Sequence, residues 1–296
     1  MRQFIGRLRA YPEHLRFKWY PKIARVCLNL ATYQARQSLK GVPPLVLVDN
    51  TVLDAAVTHE TRWISTGTKE WGNQQINTGY SARVPVHSAA NQSDRYKQIT
   101  YLTSIAHMAR LGALKLHLSA ELEDEQFRQP GGRFRGYSYC DYSLFSDIEL
   151  ESIDGWTCAT MGPSWMGLPS VAEQQRRRLR QSDDQLFHDL FALLKEQLGQ
   201  KCDQDAWHIR TAERHRMLCF LTMDGPLLKA CQSLRKKEPL RSMTTQIMSP
   251  EELGKHLGLV PIHPHLLSYN DASWFVRNDY TMPGERRRRR GEYKSN

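Results

Sequence analysis

Leu45-Val46-Leu47-Val48, entered through Pro43-Pro44 and closed by Asp49, limits the fold of this 296-residue chain more than any other segment. A short all-apolar run bounded by proline has no polar face to give to water. It therefore predicts a strand buried on both sides, the habit of parallel sheets covered by helices. Asp49 is then a charge placed just past the end of a buried strand. Three more acids sit comparably: Glu121 follows the apolar segment 114–120, Asp224 follows 217–223, and Asp205 opens a helical pattern. In an open parallel sheet, residues beyond the strands' carboxyl ends meet in one crevice. Carboxylates gathered there repel one another unless a cation holds them.

The rest of the chain alternates in the same sense. Residues 1–40 carry an imperfect helical period broken by Pro12 and Pro21. A helix is predicted to start at 52, and another over 99–112 ends at Gly112, a natural helix stop. Strand 114–118 follows at once, then helix 173–198, helix 204–215 with Asp203 as its cap, strand 218–221, helix 226–234 and strand 241–247. Ser249-Pro250-Glu251-Glu252 is the start of one more helix: a capping side chain, a proline with no N–H to lose, and acids in the first turn. Helix alternating with strand predicts an α/β domain with three layers, α/β/α, around a central parallel sheet, plus a helical N-terminal extension. The expected division is a basic helical extension over 1–44, the domain over 45–260, and an irregular basic tail over 261–296. Two insertions interrupt the domain. Residues 58–98 are polar and poor in aliphatics, an ordered insertion or a mobile flap. Residues 126–185 are rich in Gly and aromatics; there Tyr137, Tyr139, Tyr142 and Phe145 lie near Arg133 and Arg135, a set suited to stacking on single-stranded nucleic acid or to a small satellite core.

Charge is unevenly placed. Residues 1–40 carry +8 and residues 284–296 carry +4, which leaves −2 for the interior of a chain whose formal charge is +10. Basic ends around a mildly acidic centre suit a polyanionic partner. The six cysteines show no C-x-x-C spacing, which argues against structural zinc and a disulfide framework. No apolar run approaches the ~20 residues of a membrane span, and the basic start lacks an apolar stretch behind it. These features lead us to expect a cytoplasmic protein with no membrane partner.

Residues 205–224, Asp-Ala-Trp-His-Ile-Arg-Thr-Ala-Glu-Arg-His-Arg-Met-Leu-Cys-Phe-Leu-Thr-Met-Asp, resemble the C-terminal acidic half of PIN-domain nucleases. An aspartate opens a helix, a small residue (Ala212) follows seven positions on, and a strand ends in Thr-x-Asp. Residues 45–54 resemble that family's first strand and aspartate, 116–122 its second strand and glutamate, and 244–253 its final strand and helix. Thr51 stands where the family usually has Asn or Ser. The resemblance implies a divalent-metal-dependent endoribonuclease in which Asp49, Glu121, Asp205 and Asp224 are catalytic and hold Mg²⁺ or Mn²⁺. Glu123, Asp124 and Glu125 are near enough to Glu121 to take its place. Thr51 and Thr222 would bond to carboxylate or phosphate, and His208 and Arg210 would contact substrate. RNA is the implied partner; a homodimer is compatible with the sequence, and a protein regulator is not defined by it.

The chemistry suits those residues without the name. Phosphodiester hydrolysis needs charge neutralised on phosphoryl oxygens and a water made nucleophilic, and Mg²⁺ or Mn²⁺ on carboxylates supplies both. Two other classes fit the same residues: an RNA-binding module with a degenerate acidic site, and the toxin of a toxin–antitoxin pair. Gly-rich phosphate loops and a Ser/His/Asp order are absent from the sequence.

Overall fold

The computed structural model describes residues 19, 22–39, 41–87, 93–128 and 142–267. Helix α1 covers 22–31 and α2 Tyr33–Ser38. Then come β1 (Leu45–Val48), α3 (Asn50–Ala55), β2 (Val57–Trp71), β3 (Gln74–Pro85) and α4 (Asp94–Arg110). Strand β4 (Lys115–Leu118), α5 (Ala120–Arg128), β5 (Tyr142–Ser143) and β6 (Glu151–Ser152) follow. The remainder is α6 (Val171–Arg180), α7 (Gln185–Leu198), α8 (Asp203–Arg214), β7 (Cys219–Leu221), α9 (Gly225–Leu234), β8 (Gln246–Met248) and α10 (Pro250–His256).

Five strands form one parallel sheet in the order β6-β4-β1-β7-β8. Strand β1 is at its centre, and Val46, Leu47 and Val48 have no exposed surface. Burying each is worth roughly 1.5–3 kcal/mol. The chain leaves β1 toward β4 on one side and returns later to β7 on the other, so the order reverses at β1. A cleft opens at such a reversal, outside the strands' carboxyl ends. Helices α4 and α10 pack together, and α8 packs with α7, β1 and β7. This is the expected α/β sheet with helices around it. No helix among the described residues is long and apolar enough to cross a membrane.

Local signals hold at several ends. Gly112 has φ +67° behind α4, and Ser249 and Glu252 make the reciprocal capping box of α10. Four expectations need correction. Residues 58–98 take the ordered alternative, mostly a long antiparallel hairpin of β2 and β3, but α4 starts at Asp94 rather than 99. Residues 126–185 are not only an insertion, because β6 extends the parallel sheet beside β4. Helix 173–198 is two helices, since Asp184 stops one run and caps α7 by accepting from Phe187 N at 3.0 Å. Only the end of the expected strand 241–247 is strand, as β8 starts at Gln246. Residues 1–18, 20, 21 and 40 of the basic extension, the tail from 268, Arg133, Arg135, Tyr137 and Tyr139 lie outside the described residues.

Candidate functional site

Asp49 leaves β1 at the order reversal and is 9% exposed. Its N–H donates to Leu221 O at 2.9 Å, extending the β1–β7 pairing one residue past the strand. Its Oδ2 accepts from Thr51 Oγ1 at 2.5 Å and from Thr222 Oγ1 at 2.6 Å. Each hydroxyl in turn accepts a backbone N–H from the loop after β7: Met223 N donates to Thr51 and Asp224 N to Thr222, both at 3.0 Å. Donor chains of this kind strengthen one another in a dry setting. The hydroxyl protons of Thr51 and Thr222 are thus committed to a carboxylate, not to phosphate. Burial raises the Asp49 carboxyl above its usual range, against these two bonds and His208, and the charge of Glu125 adds to the rise.

Asp205 is in the first turn of α8, and its carboxyl is pushed up to about 7. Burial is the main cause; His208 opposes it, while the negative charges of Asp49, Asp224 and Glu125 add to it. Asp224 caps α9, accepting Leu227 N on Oδ1 at 2.8 Å. Its duty as a cap and its electrostatic effect on Asp205 coexist. Three of the four expected acids therefore share one local field at the carboxyl edge of the sheet.

Glu121 does not join them. Arg178 Nε and Nη2 donate to its two oxygens at 3.0 and 2.8 Å, and Gln175 Nε2 donates at 2.6 Å. Helix α6 has captured the side chain, so the expectation of a fourth ligand or catalytic group at Glu121 is corrected. One turn later, Glu125 takes the position facing the cluster. Its Oε2 accepts Asn50 Nδ2 at 3.1 Å, and its Oε1 lies 3.1 Å from His208 Nε2. Asn50 is itself fixed by Leu122 O at 3.0 Å and by Gln126 Nε2 at 2.8 Å.

His208 is 2% exposed, which removes it as a substrate contact. Burial disfavours its cation, yet the charge and hydrogen bond of Glu125, with Asp49 and Asp205 behind them, lift the imidazole to about 8. With that value it carries positive charge at neutral pH, and it is a buried counter-charge acting on both Asp49 and Asp205. Nδ1 lies 3.4 Å from Ser119 Oγ. Arg210 is also corrected. It is 6% exposed, donates to Asp184 Oδ2 at 2.5 Å and lies 4.5 Å over the Trp207 ring, so it joins α7 to α8 and does not face a ligand. Asp203 is not a cap: Cys202 holds that position, and Asp203 is buried 3.8 Å from Arg180.

Asn50 and Glu125 are the residues that sequence reasoning underweighted. Asn50 directly follows Asp49, and Glu125 follows Glu121 by one helical turn; these spacings are the signal that was there to find. Among the described residues, no three His, Cys, Asp or Glu side chains stand close enough to share one ion. The donor set still suits a hard cation. Asp49, Asp205, Asp224 and Glu125 offer only carboxylate oxygens, and the net negative field that lifts Asp205 is what a divalent ion would relieve.

Compared with protein-family models, curated proteins and solved structures, the chain matches none.

Proposed function

We propose that this protein is a divalent-metal-dependent endoribonuclease of PIN-like kind, acting at Asp49, Asp205, Asp224 and Glu125. The observation that carries this reading is geometric: Asp49 and Asp224 follow the paired strands β1 and β7 at the order reversal, and the buried Asp205 is near enough for their charges and that of Glu125 to raise its carboxyl. A fold gains no stability from collecting repelling carboxylates at the cleft of its sheet, and perturbed groups of this kind concentrate where chemistry is done. Asp49, Asp205 and Asp224, with Glu125, would hold Mg²⁺ or Mn²⁺, which would neutralise phosphoryl charge and make a bound water acidic.

The chain's own residues have separable parts in this. Thr51 and Thr222 fix the Asp49 carboxyl in one orientation and oppose the rise that burial imposes on it. His208 and Asn50 orient Glu125, leaving it ready to accept the proton of an attacking water. Positioning of this order matters because displacements near 1 Å can cost about 100-fold in rate. RNA is preferred as substrate because the resemblance of residues 45–54, 116–122, 205–224 and 244–253 points there, and the +8 carried by residues 1–40 suits a polyanion.

A second reading, RNA binding without cleavage, is favoured by one observation: no three potential ligands stand within reach of one ion among the described residues. One experiment separates the two. Labelled mixed RNA is incubated with wild type and Asp224→Asn in Mn²⁺, Mg²⁺ or EDTA. The nuclease reading expects cutting that needs the metal and vanishes in the variant. Folded wild type that binds RNA and never cuts it would move the conclusion to the binding module.

A further inference from the structure

Strands β2 and β3 pair from His59↔Pro85 out to Trp71↔Gln74, and the two-residue turn between them uses Gly72 at φ +62°. A positive φ at the first turn position is the requirement of a II′ hairpin, which glycine meets without strain. From Ser65 to Asn77 every residue is exposed, so this is a two-stranded ribbon standing clear of the domain. Such a ribbon is marginal alone in water.

Its register contains one irregularity, between Ser65 and Gly67. Thr66 is the extra residue. Without it, Ile64 and Arg62 near the base would lie on the face opposite Lys69 and Trp71, because side chains alternate along a strand; Tyr80 and Ile76, four apart on β3, share a face in either case. With it, Ile64↔Tyr80, Lys69↔Ile76 and Trp71↔Gln74 fall on the same face, together with Arg62. The other face of the projecting part presents Thr68, Glu70, Gln75 and Asn77. The bulge therefore aligns two aromatic rings, two aliphatic side chains and two cations on one side, and leaves the acid Glu70 on the reverse. Trp71 is 79% exposed at the tip and Ile76 44%, although nothing about a soluble hairpin requires either to be apolar. The rows from Trp71 to Tyr80 span about 20 Å at ~6.7 Å per same-face step.

An exposed ring at the tip, a half-buried ring nearer the base and an exposed lysine between them, with no acid beyond the buried Glu60 at the base, match single-stranded nucleic acid, whose bases stack on any ring and whose phosphates are drawn to cations. We propose that this face of the β2–β3 ribbon is a docking platform for single-stranded RNA, with bases stacked on Trp71 and Tyr80 and phosphate held by Lys69. The proposal deepens the ribonuclease reading and rests on it for the identity of the ligand. It assigns single-stranded RNA, rather than duplex, as the form that the protein receives.

The test is binding of a short fluorescein-labelled single-stranded RNA by the full chain, read as anisotropy in EDTA so that no cutting intervenes. Trp71→Ala removes an exposed ring and no packed contact, so the fold is retained. It is expected to weaken binding roughly 5- to 100-fold, the range for losing one stacked base. Lys69→Ala should weaken binding and flatten its salt dependence. Thr68→Ala and Gln75→Ala, on the reverse face, should leave affinity within about twofold, and a hairpin duplex RNA should be indifferent to Trp71→Ala. Equal affinities for wild type and Trp71→Ala would overturn the platform, while metal-dependent cleavage measured separately would leave the nuclease intact. Light scattering that shows a dimer dissociated by Trp71→Ala, with RNA affinity unchanged, would assign the face to a second copy of the chain and also overturn the proposal. Trp71-dependent binding without any cleavage would sustain the platform and defeat the nuclease reading.

Discussion

Asp205→Asn is expected to make the metal-free protein more stable above pH 7 while abolishing metal-dependent cleavage. The wild-type carboxyl is lifted from 3.8 to about 7, first by burial and then by Asp49, Asp224 and Glu125, with His208 opposing. An acid whose folded value is raised favours folding while it is protonated. Its contribution is complete below 3.8 and is lost as pH rises through about 7. At ~1.4 kcal/mol per tenfold the gap amounts to about 4 kcal/mol, which partial solvent access reduces to about 2 kcal/mol. Asparagine keeps the shape and never ionises. Loss of an acid from the first turn of α8 offsets the gain by about 0.5 kcal/mol.

The assay is thermal unfolding in EDTA at pH 5 and pH 8, for wild type and variant. A net gain of ~1.5 kcal/mol in a domain of this size corresponds to a melting temperature higher by about 3–6 °C at pH 8. Near pH 5 the folded carboxyl is neutral but the unfolded one is already ionised, so the variant's advantage should be present in part, smaller than at pH 8, and should vanish only below 3.8. His208 titrates in both proteins, so the difference between them reports mainly Asp205. Mn²⁺ should stabilise wild type at pH 8, because ligand bound only to the folded state adds to its stability, and should do little for the variant. A variant less stable than wild type at pH 8 would refute the claim that Asp205 is held against its own electrostatics.

Glu125→Gln should cost 100-fold or more in cleavage, as loss of a proton acceptor typically does, whereas Glu121→Gln should leave the rate per folded molecule intact and lower the urea midpoint; single-turnover kinetics and denaturation on both variants check this. Thr222→Val removes a hydrogen bond that lowers the Asp49 carboxyl, so the acid limb of the pH–rate profile should move to higher pH, with a larger loss at pH 6 than at pH 8.5. His208 is raised to about 8, so its contribution to stability is whole below 6.5 and lost as pH rises through about 8; His208→Gln should flatten the stability-versus-pH curve over that interval, measured by urea unfolding.

What was legible in the sequence was whatever a local rule could settle. Leu45–Val48 had no polar face, so only a strand covered on both sides could accept it, and it lies at the centre of the sheet. Ser249, Pro250 and Glu252 are governed by the N–H groups of one helical turn and hold their expected roles. Asp49, Asp205 and Asp224 were placed by chain order, because strand ends in a parallel sheet share one edge. Glu121 and Arg210 were misplaced because each depends on a partner remote in sequence: Arg178 lies 57 residues from Glu121 and Asp184 lies 26 residues from Arg210. Pairings so remote in sequence leave no periodicity to announce them. The hairpin escaped for a different reason. Its polar, β-branched residues read as loop when a strand is sought by a buried face, and most of β2–β3 buries none. That failure is itself informative: the strand pair has no core to cover, and Trp71 and Ile76 are where its sequence departs from plain solubility.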